Sequence, residues 1–179
     1  MQIIFTSNPD FLGKIIKWFT KISWVKQGRV SHVALRFGRN EDNWMVESNG
    51  DGFVPNWWTY FEKTNTIFAK YEILGIDEDI LEKIVDEQIN ETIHSKYDYG
   101  NLLGFAFLIL FYKLTGKIKK NKLAWPKHFI CSEIIYKIFK EIEKQTGIKY
   151  FEKHNNESVF PEELLIDCEK NQNLFKKSI

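Results

Sequence analysis

A single cysteine, Cys131 in the stretch HFICSEIIY, stands where an amphipathic helix is expected to begin, and four histidines, His32, His94, His128 and His154, are available to serve it. A thiol in the first turn of a helix meets the positive end of the helix dipole and unpaired backbone N–H groups, both of which favour thiolate. The same N–H groups can cradle an oxyanion, so a cysteine so placed and a nearby imidazole would suffice for acyl transfer. Periodicity supplies the competing reading. Positions 131, 134, 135, 138, 139 and 142 form one apolar helical stripe, and free cysteine is commonly a core residue.

Among the histidines, His32 is the base that strand geometry favours. SHVALRFG alternates Val33, Leu35 and Phe37 with His32, Ala34 and Arg36, the period of a strand, and NWMVES reads as the next strand after a polar turn. A four-residue hairpin loop from Gly38 to Glu41 would set Arg36 opposite Asn43, Ala34 opposite Met45, and His32 opposite Glu47. Directly opposed side chains share one face at a Cβ separation of about 5 Å. A carboxylate there would hold one imidazole nitrogen while the other faces the thiol, the orienting role of the third member of a triad. A register shifted by two residues is expected to separate the pair. The plainer readings are a strand histidine satisfied locally and a Glu47 that pairs with Arg36. His128 is expected in the loop leading into the cysteine helix, and His94 and His154 at the surface or in loops. No His or Cys pair has metal-ligand spacing and no Gly-rich phosphate loop is present, so neither a metal nor another cofactor is expected.

The elements that must position these residues read as α+β. A strand at Ile3 to Thr6 is followed by a helix with Asn8 as N-cap and Pro9 at its first position, carrying Phe11, Leu12, Ile15, Ile16, Phe19 and Ile22 as its apolar stripe. A further strand is predicted in TIFAKYEI, then a helix from about Asp79 to Ile93 with Ile80, Leu81, Ile84 and Val85 inward. Leu102 to Tyr112 is almost unbroken apolar sequence, too short for the roughly 20 residues of a membrane span. It is expected to be a buried core helix or a lipid-facing or acyl-binding surface, with Lys113, Lys117, Lys119, Lys120 and Lys122 downstream. SVFPEELL opens a last short helix.

The 179 residues, 44% hydrophobic and 16% aromatic, are enough for one domain over 1–179 with a core of its own. A formal net charge of +1 gives no global field that would draw nucleic acid. No secretory signal is read at MQIIFTSNPDF, so a cytoplasmic location is expected, with Cys131 and Cys168 both reduced. Peripheral membrane contact and the oligomeric state are left open by the sequence.

The order IIFTS, SHVALRFG, VES, KYDYGNLLGF, FICSEIIY and FPEEL resembles the circularly permuted NlpC/P60, papain-like hydrolases, in particular the YiiX-like and YebB-like group. The resemblance spans nearly the whole chain, SHVAL and FICSEIIY being its most specific pieces. It implies a central antiparallel sheet packed against the helix that carries the cysteine, with Cys131 as nucleophile, His32 as base, Glu47 as third residue and Tyr97 lining the site. The implied activity is a cysteine hydrolase that cleaves a cell-wall-type peptide amide or an acyl bond through an acyl-enzyme. The chain departs from the group at its start, MQII standing where a Gly-Asp pair is common. LRAT-like acyltransferases share the permuted layout, but their Asn-Cys-Glu-His-Phe stretch is absent here. A lipid-acting acyltransferase or thioesterase, and a non-catalytic module that binds peptide or lipid in the same cleft, are the alternatives.

Overall fold

The computed structural model describes residues 1–37, 44–49, 52–92, 96–97, 99–117, 128–154 and 159–178. In chain order the elements are β1 (Gln2–Thr6), α1 (Phe11–Ile22), β2 (His32–Arg36), β3 (Trp44–Asn49), β4 (Gly52–Trp57), α2 (Trp58–Thr64), β5 (Ile67–Ile73), α3 (Glu78–Thr92), β6 (Lys96–Tyr97), α4 (Tyr99–Thr115), β7 (His128–Phe129), α5 (Cys131–Thr146), α6 (Pro161–Lys170) and β8 (Phe175–Lys177). Six strands form one antiparallel sheet in the order β4-β3-β2-β1-β5-β8. The remaining two strands are a two-residue parallel pair that joins Lys96 to His128 and Tyr97 to Phe129.

Alternation along the strands sends side chains to two covered faces. On one, Ile3, Phe5, Val33, Leu35 and Val46 meet Ile134, Ile135, Ile138 and Ile142 of α5 and Leu81, Ile84 and Val85 of α3. On the other, Ile4, Ala34 and Met45 meet Trp58 and Phe61 of α2 in a smaller cluster. The β1 run Ile3-Ile4-Phe5 is therefore wholly buried, as a central strand covered on both sides must be. Pro55 in β4 is tolerated because β4 is an edge strand.

Several local expectations are corrected. The N-cap of α1 is Asp10, whose carboxylate accepts from Gly13 N at 2.5 Å. Asn8 instead bridges to the start of β5, donating to Asn65 at 2.6 Å and accepting from Thr66 N at 3.0 Å. Ile80 is exposed on α3 while Leu81, Ile84 and Val85 are buried as predicted. The hairpin loop from Gly38 to Glu41 lies outside the described residues. In α4 Leu108 and Ile109 are buried, but Phe107, Leu110 and Leu114 are exposed, so this helix is core on one side only. No helix among the described residues is long and apolar enough to cross a membrane.

The segment that delivers His32 is held by a charge clamp. Arg29 donates from Nε to Glu162 at 2.6 Å and bidentately to Glu169 at 2.7 and 2.8 Å. The fully buried Glu162 also accepts from the backbone of Arg29 at 2.6 Å and Val30 at 3.2 Å, which fastens the approach to β2 onto α6. Replacing Glu162 by Ala strands two buried backbone donors and one side of the guanidinium. Chemical denaturation should show a loss of about 3 kcal/mol, and a loss within error of zero would contradict the clamp.

Candidate active site

His32 is the first residue of β2 and faces Thr6 on β1. The β2–β3 register sets Leu35 opposite Val46 and Arg36 opposite Met45, two residues away from the predicted pairing. Continued along the strands, it puts Ala34 opposite Glu47, so His32 and Glu47 are diagonal neighbours, not direct partners. The shift does not separate them. An even slip keeps both side chains on one face, and a diagonal neighbour remains within reach of a long side chain. His32 Nε2 lies 2.9 Å from Glu47 Oε2. Arg36 turns elsewhere, donating to Gln2 at 3.2 Å and lying over the Trp58 ring.

The second oxygen of Glu47 is also fixed, accepting from Asn56 Nδ2 at 3.0 Å and Asn49 Nδ2 at 3.3 Å. Asn56 comes from β4, where Glu47 pairs with Val54 and Asn56 stands one diagonal step away. Burial pushes the Glu47 carboxyl up, but the bonds from His32, Asn56 and Asn49 outweigh it and leave the group below the usual carboxylate range. Neither asparagine was singled out from sequence. The signal was there in SNGDGFVPNW, whose Asn-Gly and Asp-Gly steps mark a hairpin that would have put β4 beside β3.

Cys131 opens α5, and its N-cap, Ile130, has no side-chain acceptor. Glu133 partly compensates by accepting from Ile130 N at 3.1 Å. The Ser132 hydroxyl donates to Val159 O at 2.7 Å and ties the same turn to the segment before α6. Cys131 is 2% exposed and belongs to the main core cluster with Ile134, Ile135 and Ile138. Its sulfur also acts on His32, raising the imidazole pKa. The two readings of this residue are compatible: the α5 stripe packs on the face of Val33 and Leu35, whereas His32 is on the face of Ala34 and Met45, and only the first residue of the helix acts on the imidazole at the start of β2. Nε2 of the imidazole is directed at Glu47.

The imidazole is held by opposing forces. Burial lowers its pKa, but the Cys131 sulfur and the Glu47 carboxylate together raise it from 6.5 to about 10. Its protonated form therefore contributes stability in full below pH 6.5, and the contribution is lost as pH rises through about 10. Phe61, with its ring centroid 6.1 Å away, forms the apolar side of the pocket around the ring.

Of the other candidates, Tyr97 lies in β6, paired with Phe129 just before the helix that Cys131 opens; the expected lining role concerns its side chain, which is outside the described set. His128 is in strand β7 and not in a loop, because its backbone pairs with Lys96; its side chain, and His94 altogether, are outside the described set. His154 sits in a loop as expected but is not a surface residue. Its Nε2 lies 2.7 Å from Asp167, its backbone N donates to Tyr136 at 2.9 Å, and Glu163 is 3.7 Å from Nδ1. Burial lowers its pKa, and the bond to Asp167 and the neighbouring carboxylates raise it overall. That network joins α5 to α6. Cys168 is a free, fully buried thiol whose pKa is driven well up by burial and by Asp167 and Glu169.

A cavity of about 140 Å³ lies beside His32 and Glu47, lined also by Asn8, Ser31, Asn49 and Asn65 and, from α1, by Leu12, Gly13 and Ile16. Gly13 is required by close approach: a Cβ there would lie 2.5 Å from Asn8 O and 2.9 Å from Asp10 Oδ1. Among the described residues, no group of three or more His, Cys, Asp or Glu side chains is arranged to hold a metal ion. Compared with protein-family models and with curated proteins, the chain matches none.

The Cys131 sulfur is the strongest of the influences that raise the His32 pKa. Replacing Cys131 by Ala should therefore lower the His32 midpoint markedly from about 10 in an NMR titration of its ring protons. An unchanged midpoint would mean that sulfur and imidazole do not interact.

Proposed function

We propose that this protein is a cysteine hydrolase of the permuted papain-like type, with Cys131 as nucleophile, His32 as general base and acid, and Glu47 as the residue that orients the imidazole. One observation carries this reading. Three residues distant in sequence come together, with the imidazole 2.9 Å from the carboxylate and the Cys131 sulfur close enough to raise the imidazole pKa. The two asparagines on the far oxygen of Glu47 support it further, because they leave the carboxylate one free direction, toward His32.

In the proposed reaction His32 holds the thiol proton as imidazolium, and the sulfur attacks an amide, ester or thioester carbonyl. The N-terminus of α5 offers its backbone N–H groups to the oxyanion that forms. As the carbonyl re-forms, the bond to the leaving group breaks and His32 protonates that group, which leaves an acyl-thioester on Cys131. Water then attacks, giving its proton to His32, and the carboxylic acid departs as the thiol is restored. The polar cavity beside His32 would hold one side of the substrate. A binding module with the same fold is the second reading, favoured by the 2% exposure of Cys131.

Alkylation separates the two. Under brief iodoacetamide treatment at mildly acidic pH, Cys131 should be labelled before Cys168, because a nearby histidine can act as base toward a thiol and Cys168 is held neutral by burial and two carboxylates. His32→Ala should slow labelling of Cys131 by about tenfold or more and leave Cys168 unchanged, as read by peptide mapping. Glu47→Gln should slow it less, because an amide can still hold the ring. Labelling of Cys168 alone in the folded protein would favour the binding module.

A further inference from the structure

Helices α1 and α4 carry an exposed apolar face that the candidate site does not use. On α1, Phe11 and Trp18 are 80% and 56% exposed and lie two turns apart on one stripe. On α4, Phe107, Leu110 and Leu114 are 66%, 56% and 77% exposed at the i, i+3, i+7 spacing of one face. The helices are neighbours, since Phe19 and Ile22 pack against the cluster that contains Leu108 and Ile109.

Charge identifies what this face meets. Neither helix contains an acidic residue, and no Asp or Glu occurs anywhere in residues 11–40 or 99–132. Exposed Lys14 and Lys21 flank the α1 stripe, and Lys113 and Lys117 stand at the end of the α4 stripe. With a net charge of only +1, the chain has segregated its acids onto other elements, such as α3 and α6. A symmetric dimer through this face would set lysine against lysine, the carboxylate beside Phe11, Asp10, being engaged in capping α1. A protein partner fits poorly as well, because lysine is depleted in such interfaces. Large apolar side chains fringed by lysines suit the boundary between acyl chains and anionic headgroups.

We infer that the α1–α4 face docks on an anionic lipid bilayer, with Phe11, Trp18, Phe107, Leu110 and Leu114 entering the interface and the four lysines meeting headgroup phosphates. The inference does not depend on catalysis. It has a consequence for the site all the same, because Leu12 on the first turn of α1 lines the cavity beside His32, so the cavity opens next to the docked surface.

Co-sedimentation of the full chain with vesicles tests the docking. Phosphatidylcholine mixed with phosphatidylglycerol should pellet the protein, phosphatidylcholine alone should not, and added salt should weaken binding by screening. Each exposed lysine changed to Gln should weaken binding about fivefold, so Lys14→Gln with Lys113→Gln loses more than either alone. Phe107→Ser with Leu114→Ser should abolish pelleting with the thermal midpoint unchanged, both side chains being exposed. Failure to pellet with anionic vesicles, or undiminished pelleting of the Phe107/Leu114 variant, would overturn the inference. So would an absence of vesicle binding together with a dimer, seen by sedimentation equilibrium, that the same variant abolishes.

Discussion

The hydrogen bond between His32 and Glu47 is the constraint around which the rest of the candidate site is arranged. A carboxylate 8% exposed at its side chain must be satisfied on both oxygens or its burial is costly. Satisfaction here draws on three strands of one sheet, with His32 from β2, Glu47 and Asn49 from β3, and Asn56 from β4. The β3–β4 hairpin is thus part of the candidate site. The same bond fixes the orientation of the imidazole.

The helix that brings Cys131 is located by burial, then locked by polar ties. Its apolar side packs over β2 and β3 with α3 beside it. Ser132 is bonded to Val159 O, and Tyr136 is bonded to the backbone of Glu152 and His154, so successive turns of α5 are fastened to the segment that leads into α6. Helix α6 in turn grips Arg29 through Glu162 and Glu169, three residues before His32. The segment that leads to His32 and the helix that Cys131 opens are therefore held through a common neighbour, α6 and the segment before it. Two buried carboxylates, Glu162 and Asp167, do most of this fastening, each accepting from a backbone N–H as well as from a cationic or titratable side chain.

Much of this was legible in the sequence because it rests on period. SHVALRFG and the Cys131 stripe show their strand and helix character directly, and the strands β1 and β5 and helices α3, α5 and α6 stand close to where their patterns put them. Register was not legible in the same way. It depends on where the hairpin bends, which alternation leaves undetermined by any even number of residues, and the pairing of His32 with Glu47 survived a two-residue difference only because glutamate is long enough to span a diagonal. The Asn56 contact and the Asn8 bridge were missed since amide side chains carry no period and act across the sheet. His154 is in a loop as expected, but its partners were missed for a similar reason: Asp167 and Glu163 are a helix away in sequence, and only the tertiary fold brings them within 2.7 and 3.7 Å.

The measurement that bears most directly on Cys131 as a nucleophile is intact-protein mass spectrometry after brief exposure to an activated ester such as p-nitrophenyl acetate, followed by peptide mapping. A single acetyl group should appear on Cys131 as a thioester, decay once the ester is removed, and fail to form in Cys131→Ala; in His32→Ala it should form slowly if at all. No adduct, or an adduct on Cys168 alone that persists in Cys131→Ala, would contradict the hydrolase account.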